Sequence, residues 1–347
     1  MAPITKLVTY SSLMLGTTIT ITSSHWATAW AGLEINTLAV VPLISKSHHP
    51  RAVEATIKYF LVQATASTML LFSSMINAWA TGQWDIALMS HPTASLLLTV
   101  AIAMKLGLAP FHFWLPEVLQ GSSLITALLL STVVKLPPIS ILSQTTNSMN
   151  PTLLTVMAIL SAAIGGWMGL NQTQIRKVLA FSSMSHLGWM TIVVVYSPKL
   201  ALLTFYLYTL TTSATFLLLR TTRALKLTTL MTSWTKSPTL SATLMLSLLS
   251  LAGLPPLTGF LPKWLIIQEL TKQEVTTAAT TIAMLSLLGL FFYLRLAYHS
   301  TITLPPNTSN HMKQWHPIPA KTNTGLTALV TLSALLLPLS PTVMALP

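Results

Sequence analysis

Four ionisable residues sit where an apolar sequence should carry none. Glu34 lies in Ala-Gly-Leu-Glu-Ile-Asn, Lys105 two residues before Gly107, Lys135 just before Pro137 and Pro138, and Lys263 in Leu-Pro-Lys-Trp-Leu. All four fall well inside apolar stretches. A charged side chain at the centre of a membrane helix costs about 2.5–3.5 kcal/mol on insertion scales, so keeping one points to a functional use. Proton transfer suits these types. Burial disfavours the charged form of an amine, and a nearby carboxylate favours it. A Glu–Lys pair is therefore a switch: parting the two makes Lys105 release a proton, and reuniting them makes it bind one. An arginine stays protonated and could not do this. Snorkelling to the interface is the bland alternative. It suits Lys199 and Arg295 near the ends of their segments, and fits poorly with Lys135, which is central in its own.

Two histidines could relay protons alongside them. His112 falls in Pro-Phe-His-Phe-Trp, and His186 follows Ser182-Ser183-Met184-Ser185. Hydrogen-bonded packing explains a lone intramembrane histidine equally well. Glu117 is either a path residue or an interfacial charge, and His48, His49, His91, His311 and His316 fall in connections with no specific role expected. No metal-ligand spacing, phosphate-binding glycine loop or Ser–His–Asp set appears. The chain has no cysteine, which excludes disulfides, thiolate metal sites and iron–sulfur ligation. No cofactor and no metal is expected in this chain.

The elements that must position these groups follow from composition. Only 7% of residues are charged, 52% are hydrophobic, and the mean hydropathy is +0.68. A soluble domain is about a quarter charged, so this surface must face lipid, and the expected fold class is all-α transmembrane. Apolar segments read at 3–22, 25–45, 57–79, 93–119 (interrupted), 123–145, 151–170, 175–196, 199–219, 238–270 (interrupted), 275–298 and 324–344. That is about eleven helices in one polytopic domain, 1–347. The start carries Lys6 and runs straight into an apolar segment, so no cleavable presequence is expected.

The net charge of +12 forms no nucleic-acid groove. With eleven crossings, the N-terminal side receives Lys6, Lys46, Arg51, Lys58, Arg176, Lys177, Arg220, Arg223, Lys226, Lys236, Arg295, Lys313 and Lys321. The opposite side receives Lys199 and Lys272, with Asp85 and Glu274. By the positive-inside rule the N-terminus faces the cytoplasm or its organellar equivalent.

The interrupted segments resemble each other. Residues 107–116 read Gly-Leu-Ala-Pro-Phe-His-Phe-Trp-Leu-Pro, and 253–262 read Gly-Leu-Pro-Pro-Leu-Thr-Gly-Phe-Leu-Pro. At a shift of 146, five of ten residues are identical. Each block is the fourth span of a five-span unit, 3–145 and 151–298, followed by a C-terminal helix, 324–344. Five is odd, so the second unit is inverted relative to the first, the plan of secondary transporters whose broken helices mark the ion site. Proline removes an N–H and glycine tolerates irregular dihedrals, which explains each break physically. A simple proline kink with no site attached is the alternative.

Four stretches carry a resemblance: Glu-Ala-Thr-Ile-Lys-Tyr-Phe-Leu-Val-Gln-Ala (54–64), Lys-Leu-Gly-Leu-Ala-Pro-Phe-His-Phe-Trp-Leu-Pro-Glu (105–117), Arg-Lys-Val-Leu-Ala-Phe-Ser-Ser-Met-Ser-His-Leu-Gly-Trp (176–189) and Leu-Pro-Pro-Leu-Thr-Gly-Phe-Leu-Pro-Lys-Trp (254–264). In this order they resemble the antiporter-like membrane-arm subunits of mitochondrial NADH–ubiquinone oxidoreductase, respiratory complex I. The resemblance implies proton translocation driven by NADH oxidation and ubiquinone reduction in other subunits, with no redox site in this chain. It implies the mitochondrial inner membrane, with the N-terminus in the matrix and the C-terminus in the intermembrane space. Neighbouring antiporter-like subunits, accessory subunits and lipid such as cardiolipin are the implied partners, with no soluble substrate. It makes Glu34 and Lys105 the pairing carboxylate and amine, Lys135 the central connecting lysine, and Lys263 the lysine towards the exit. Bacterial relatives have fourteen spans, so the chain lacks the first three on this comparison, leaving a groove for other subunits or lipid. Competing expectations are a scaffold that pumps nothing, a free-standing cation/proton antiporter, and an enzyme with its own redox site, for which no motif exists.

Overall fold

The structure, a computed structural model, describes residues 3–47, 49–233, 237–301 and 324–340. Lys236, Lys313, Lys321, His48, His311, His316 and the last residues of the final expected span lie outside them. The order is α1 Pro3–Thr22, α2 Trp26–Ile44, α3 Pro50–Thr81, α4 Pro92–Leu106, α5 Trp114–Gly121, α6 Leu124–Ser131, α7 Leu136–Gln144, α8 Pro151–Gly169, α9 Ile175–Val194, α10 Pro198–Thr222, α11 Leu227–Met231, α12 Pro238–Ala252, α13 Phe260–Lys272, α14 Thr276–Thr301 and α15 Thr324–Leu335. Among the described residues there is no strand. Seven stretches are long and apolar enough to cross a membrane: α2, α3, the run Leu124–Gln144, α8, α9, α10 and Thr276–Ser300. The other expected spans are α1, the two interrupted segments and the shorter α15.

Helix starts follow local chemistry. Pro50, Pro92, Pro151, Pro198 and Pro238 each open a helix, where a fixed φ helps and the missing N–H is not needed. The rings of His25 and His49 accept from the backbone N–H of Ala27 (3.1 Å) and Arg51 (3.2 Å). His49 thus has a specific role after all, as the cap of α3. Interior hydroxyls fold back onto their own helices, as Thr20 donates to the Thr17 carbonyl at 2.8 Å and Ser183 to that of Ala180 at 2.8 Å. That self-satisfaction lets an apolar bundle hold so much Ser and Thr.

Connections expected on the same side meet. Trp26 N–H donates to the Trp84 carbonyl (3.1 Å) and Ile86 N–H to that of Ser24 (2.9 Å), joining the connections after α1 and α3. Likewise, Ile175 N–H donates to the Leu225 carbonyl (3.2 Å) and Leu227 N–H to that of Thr173 (3.2 Å), joining the connections after α8 and α10. An error of one in the helix order between them would have put these partners on opposite faces.

The two breaks match in register. α4 and α12 end at Leu106 and Ala252, and α5 and α13 begin at Trp114 and Phe260, each pair 146 positions apart. Gly107 (φ 76°, ψ 40°) and Gly253 (φ 78°, ψ 40°) cap their helices in the left-handed region. Ala109–Pro110 and Pro255–Pro256 are both cis. Different side chains satisfy the freed carbonyls: the Trp114 indole donates to that of Met104 (3.2 Å), and the Lys263 amine to that of Ala252 (2.7 Å).

A third interruption departs from expectation. The span read as continuous over 123–145 breaks into α6, a 3-10 turn Val133–Lys135, and α7. Pro137 and Pro138 cannot donate to carbonyls a turn back, and the chain tightens just before them. Lys135 sits on the break itself. Around all of this, α9 is the most enclosed span, 83% buried against 28% for Thr276–Ser300, and forms the axis of the bundle.

Candidate functional site

The site divides into two halves. In the first, Lys105 ends α4 just before the glycine cap and is 4% exposed. Its amine makes no hydrogen bond, and neither does the buried Oε2 of Glu34 on α2. No direct ion pair joins them, although they lie within electrostatic range of each other. The long helix α3 fills the space beside them. Gln63 donates its amide to the Lys105 carbonyl (3.4 Å), and the fully buried Tyr59 packs edge-on to Trp114 (5.8 Å between ring centres) within the field of Glu34.

In the second half, Lys135 is 2% exposed and its amine also lacks a hydrogen bond. It rests over the Tyr208 ring of α10, 5.7 Å from the ring centre. The Lys263 amine lies 5.9 Å from the Trp189 ring centre. His186, on α9, is near both: its ring centre is 5.4 Å from that of Tyr208, and Lys135 and Lys263 both lie within electrostatic range of it. His186 and Lys263 line two cavities. One of 30 Å³ also touches Thr204, Tyr208, Thr211 and Ser250, and one of 20 Å³ also touches Ser185, Ser286 and Tyr293. Each has the volume for a water molecule, about 10–15 Å³ in this measure, although apolar side chains such as Leu251 and Trp189 make up much of the lining.

The sequence-derived candidates therefore do not form one contact chain. Glu34 and Lys105 are neighbours, and Lys135, His186 and Lys263 are linked through aromatic rings and small cavities. His112 is 4% exposed in the first break, but its ring packs on Phe113 (4.2 Å) and meets none of the lysines among the described residues. Glu117 is interfacial. It pairs with Lys58 (2.5 Å), which also holds Glu54 (2.5 Å), at the rim of an open charged cleft with Arg51 and Lys177. Sequence reasoning missed Tyr208, Tyr59 and the role of Trp189. Trp189 lies in the stretch that carries His186, whereas Tyr208 gave no signal beyond being one aromatic among several.

Comparison with known proteins decides the family. Residues 23–289 match the family described as NADH:quinone oxidoreductase/Mrp antiporter, transmembrane, and 290–344 match the NADH dehydrogenase subunit 2 C-terminus. The NADH-ubiquinone oxidoreductase chain 2 of Struthio camelus is 72% identical over 99% of both chains. The chain belongs to the NADH-ubiquinone oxidoreductase chain 2 family. That of Coturnix japonica is 69% identical over 98% of both. The fold of this chain 2 family member matches a chain of respiratory complex I from Thermus thermophilus with a TM-score of 0.83, at 25% identity, over 97% of this chain and 80% of that one. A chain of the Mrp complex from Dietzia sp. matches with a TM-score of 0.78 at 18% identity, over 96% of this chain and 74% of that one, and shares the fold. Resemblance read from motifs and membership read from whole-length comparison coincide.

Proposed function

We propose that this chain moves protons across the mitochondrial inner membrane along Glu34, Lys105, Lys135, His186 and Lys263. As a member of the chain 2 family it is an antiporter-like subunit of proton-translocating NADH–ubiquinone oxidoreductase. The energy comes from redox chemistry in other subunits of complex I. The observation that carries the path is the amine of Lys135, buried on a helix break with no paired carboxylate and no hydrogen bond among the described residues. A fixed structural charge would be expected to have both.

The two halves do different things. Glu34 and Lys105, near each other but unpaired, correspond to the open state of the carboxylate–amine switch. Closing it stabilises the ammonium, and opening it frees the proton to move on. Lys135 takes it, and the ring of His186 with water in the adjoining cavities carries it to Lys263. His112 stays off this route. The matched breaks support two inverted five-helix units plus a C-terminal helix, eleven crossings in all, with a matrix N-terminus and an intermembrane-space C-terminus. Neighbouring antiporter-like subunits, accessory subunits and lipid would cover the outer faces, where Ile4, Leu7 and Met14 of α1 are exposed.

Lys105→Arg tests the proposal. Arginine keeps the cation but cannot release a proton at any pH the complex experiences. The assembled complex should translocate as few protons per electron pair with Lys105→Arg as with Lys105→Met. Wild-type stoichiometry with arginine would reduce Lys105 to a fixed charge and overturn the carrier role.

A further inference from the structure

We propose that the aromatic face of Tyr208 is the seat of the protonated Lys135 amine and couples it to His186. This rests on the proton path proposed above.

Counter-charges are scarce in this chain. It has six acidic residues in all: Glu34, Glu54, Asp85, Glu117, Glu269 and Glu274. Glu54 and Glu117 are held by Lys58 at an exposed rim. Asp85 lies in the connection after α3, where its backbone pairs with that of His25. Glu269 and Glu274 lie in the last turns of α13 and just beyond it. Glu34 acts on Lys105 and Tyr59, and none of the six is in electrostatic contact with Lys135. A buried cation with no carboxylate must find its compensation elsewhere, and an aromatic face within about 6 Å supplies it. The Tyr208 ring, at 5.7 Å, is in that position.

Tyr208 is itself 4% exposed, so the contact is buried. Its hydroxyl lies beside that of Ser183, which donates to the Ala180 carbonyl and keeps its oxygen free to accept. The ring also packs against His186 and borders the 30 Å³ cavity that reaches Lys263. One side chain therefore neighbours Lys135, the imidazole and the cavity. An aromatic seat has a chemical advantage over a carboxylate here. It favours the ammonium without offering a base that could take the proton, and once the proton leaves, no buried anion remains. Lys105, facing Glu34, has the opposite arrangement. The first half of the path holds its cation by charge, and the second holds it by π faces.

Three forms of the assembled complex, reconstituted in liposomes, separate the possibilities. Tyr208→Phe keeps the ring and loses the hydroxyl, and should translocate as many protons per electron pair as wild type. Tyr208→Leu loses the ring and should fall as far as Lys135→Met measured in parallel. Tyr208→Met, with a flexible side chain of similar reach, replaces the leucine variant if native gels show that it assembles poorly, and carries the same expectation. Wild-type stoichiometry in an assembled leucine or methionine variant overturns the proposal. So does a phenylalanine variant as impaired as leucine, which would assign the role to the hydroxyl. If Lys135→Met itself leaves the stoichiometry unchanged, the path has failed. If only Tyr208→Leu is silent, the path stands and the seat does not.

Discussion

Lys135→Met is expected to leave the complex assembled while removing the whole proton share of this subunit from each turnover. Methionine is unbranched like lysine and only one heavy atom shorter. It also removes the burial of an amine, which costs about 2.5–3.5 kcal/mol at a helix centre, so stability should hold or improve. Native gels and thermal melting of the complex check that part. The functional loss is then chemical, because nothing else in the second half is equipped to replace the missing group. His186 is buried next to Tyr208, and the Lys263 amine is engaged with the Ala252 carbonyl at 2.7 Å. Proton uptake or release per NADH oxidised, measured in sealed liposomes, should drop by a discrete step. An unchanged ratio in a normally assembled complex would leave this chain as a scaffold between working neighbours.

Gly253→Ala should impair both folding and translocation, whereas Gly82→Ala should impair folding alone. Both glycines sit in the left-handed region, at φ 78° and 74°. A side chain there costs about 1–2 kcal/mol. Around Gly82 an added methyl meets nothing within 4 Å, so strain is the whole effect. At Gly253 it would stand 2.9 Å from the Lys263 amine and the two carbons before it. The lysine is a flexible chain and will yield, but only by leaving the Ala252 carbonyl and its place over Trp189. Melting temperatures should fall in both variants, and further in Gly253→Ala, with proton stoichiometry falling only there. Equal stoichiometry in both would mean that the position of the Lys263 amine does not matter to transport.

Much of this bundle is legible in the sequence because the rules involved are local. Gly107 and Gly253 with the prolines after them set both broken helices, since a missing N–H and a left-handed cap act within a turn. The order of apolar segments gave neighbouring connections that meet in pairs, because segment length and hydropathy are local properties. The break at Lys135 was within reach of the same local rules, through Pro137 and Pro138. The apolar run from Leu124 to Val134 nevertheless reads as an uninterrupted span, and hydropathy does not register a lost hydrogen bond.

The partners of the buried amines are a different matter. Nothing local in sequence tells Lys135 that it will face Tyr208, which comes from a helix far along the chain. The pattern of charges in apolar segments identifies Glu34 and Lys105 as members of a site. It does not say whether they touch, and they do not. His112 and His186 look equivalent as lone intramembrane histidines, and only packing separates one stacked on Phe113 from one near two lysines. Glu117, two alternatives in the sequence, is resolved by Lys58.

Ordered water in the assembled membrane arm tests the central claim most directly. A structure at a resolution that shows individual solvent molecules should place them beside the Glu34 carboxylate and the Lys105 amine, and in the two cavities that join His186 to Lys263. With the ring of His186, these would make an unbroken polar route past Lys135. Dry, close-packed side chains separating Lys105 from Lys135, or Lys135 from the His186 cavities, in every state of the turnover cycle would contradict it.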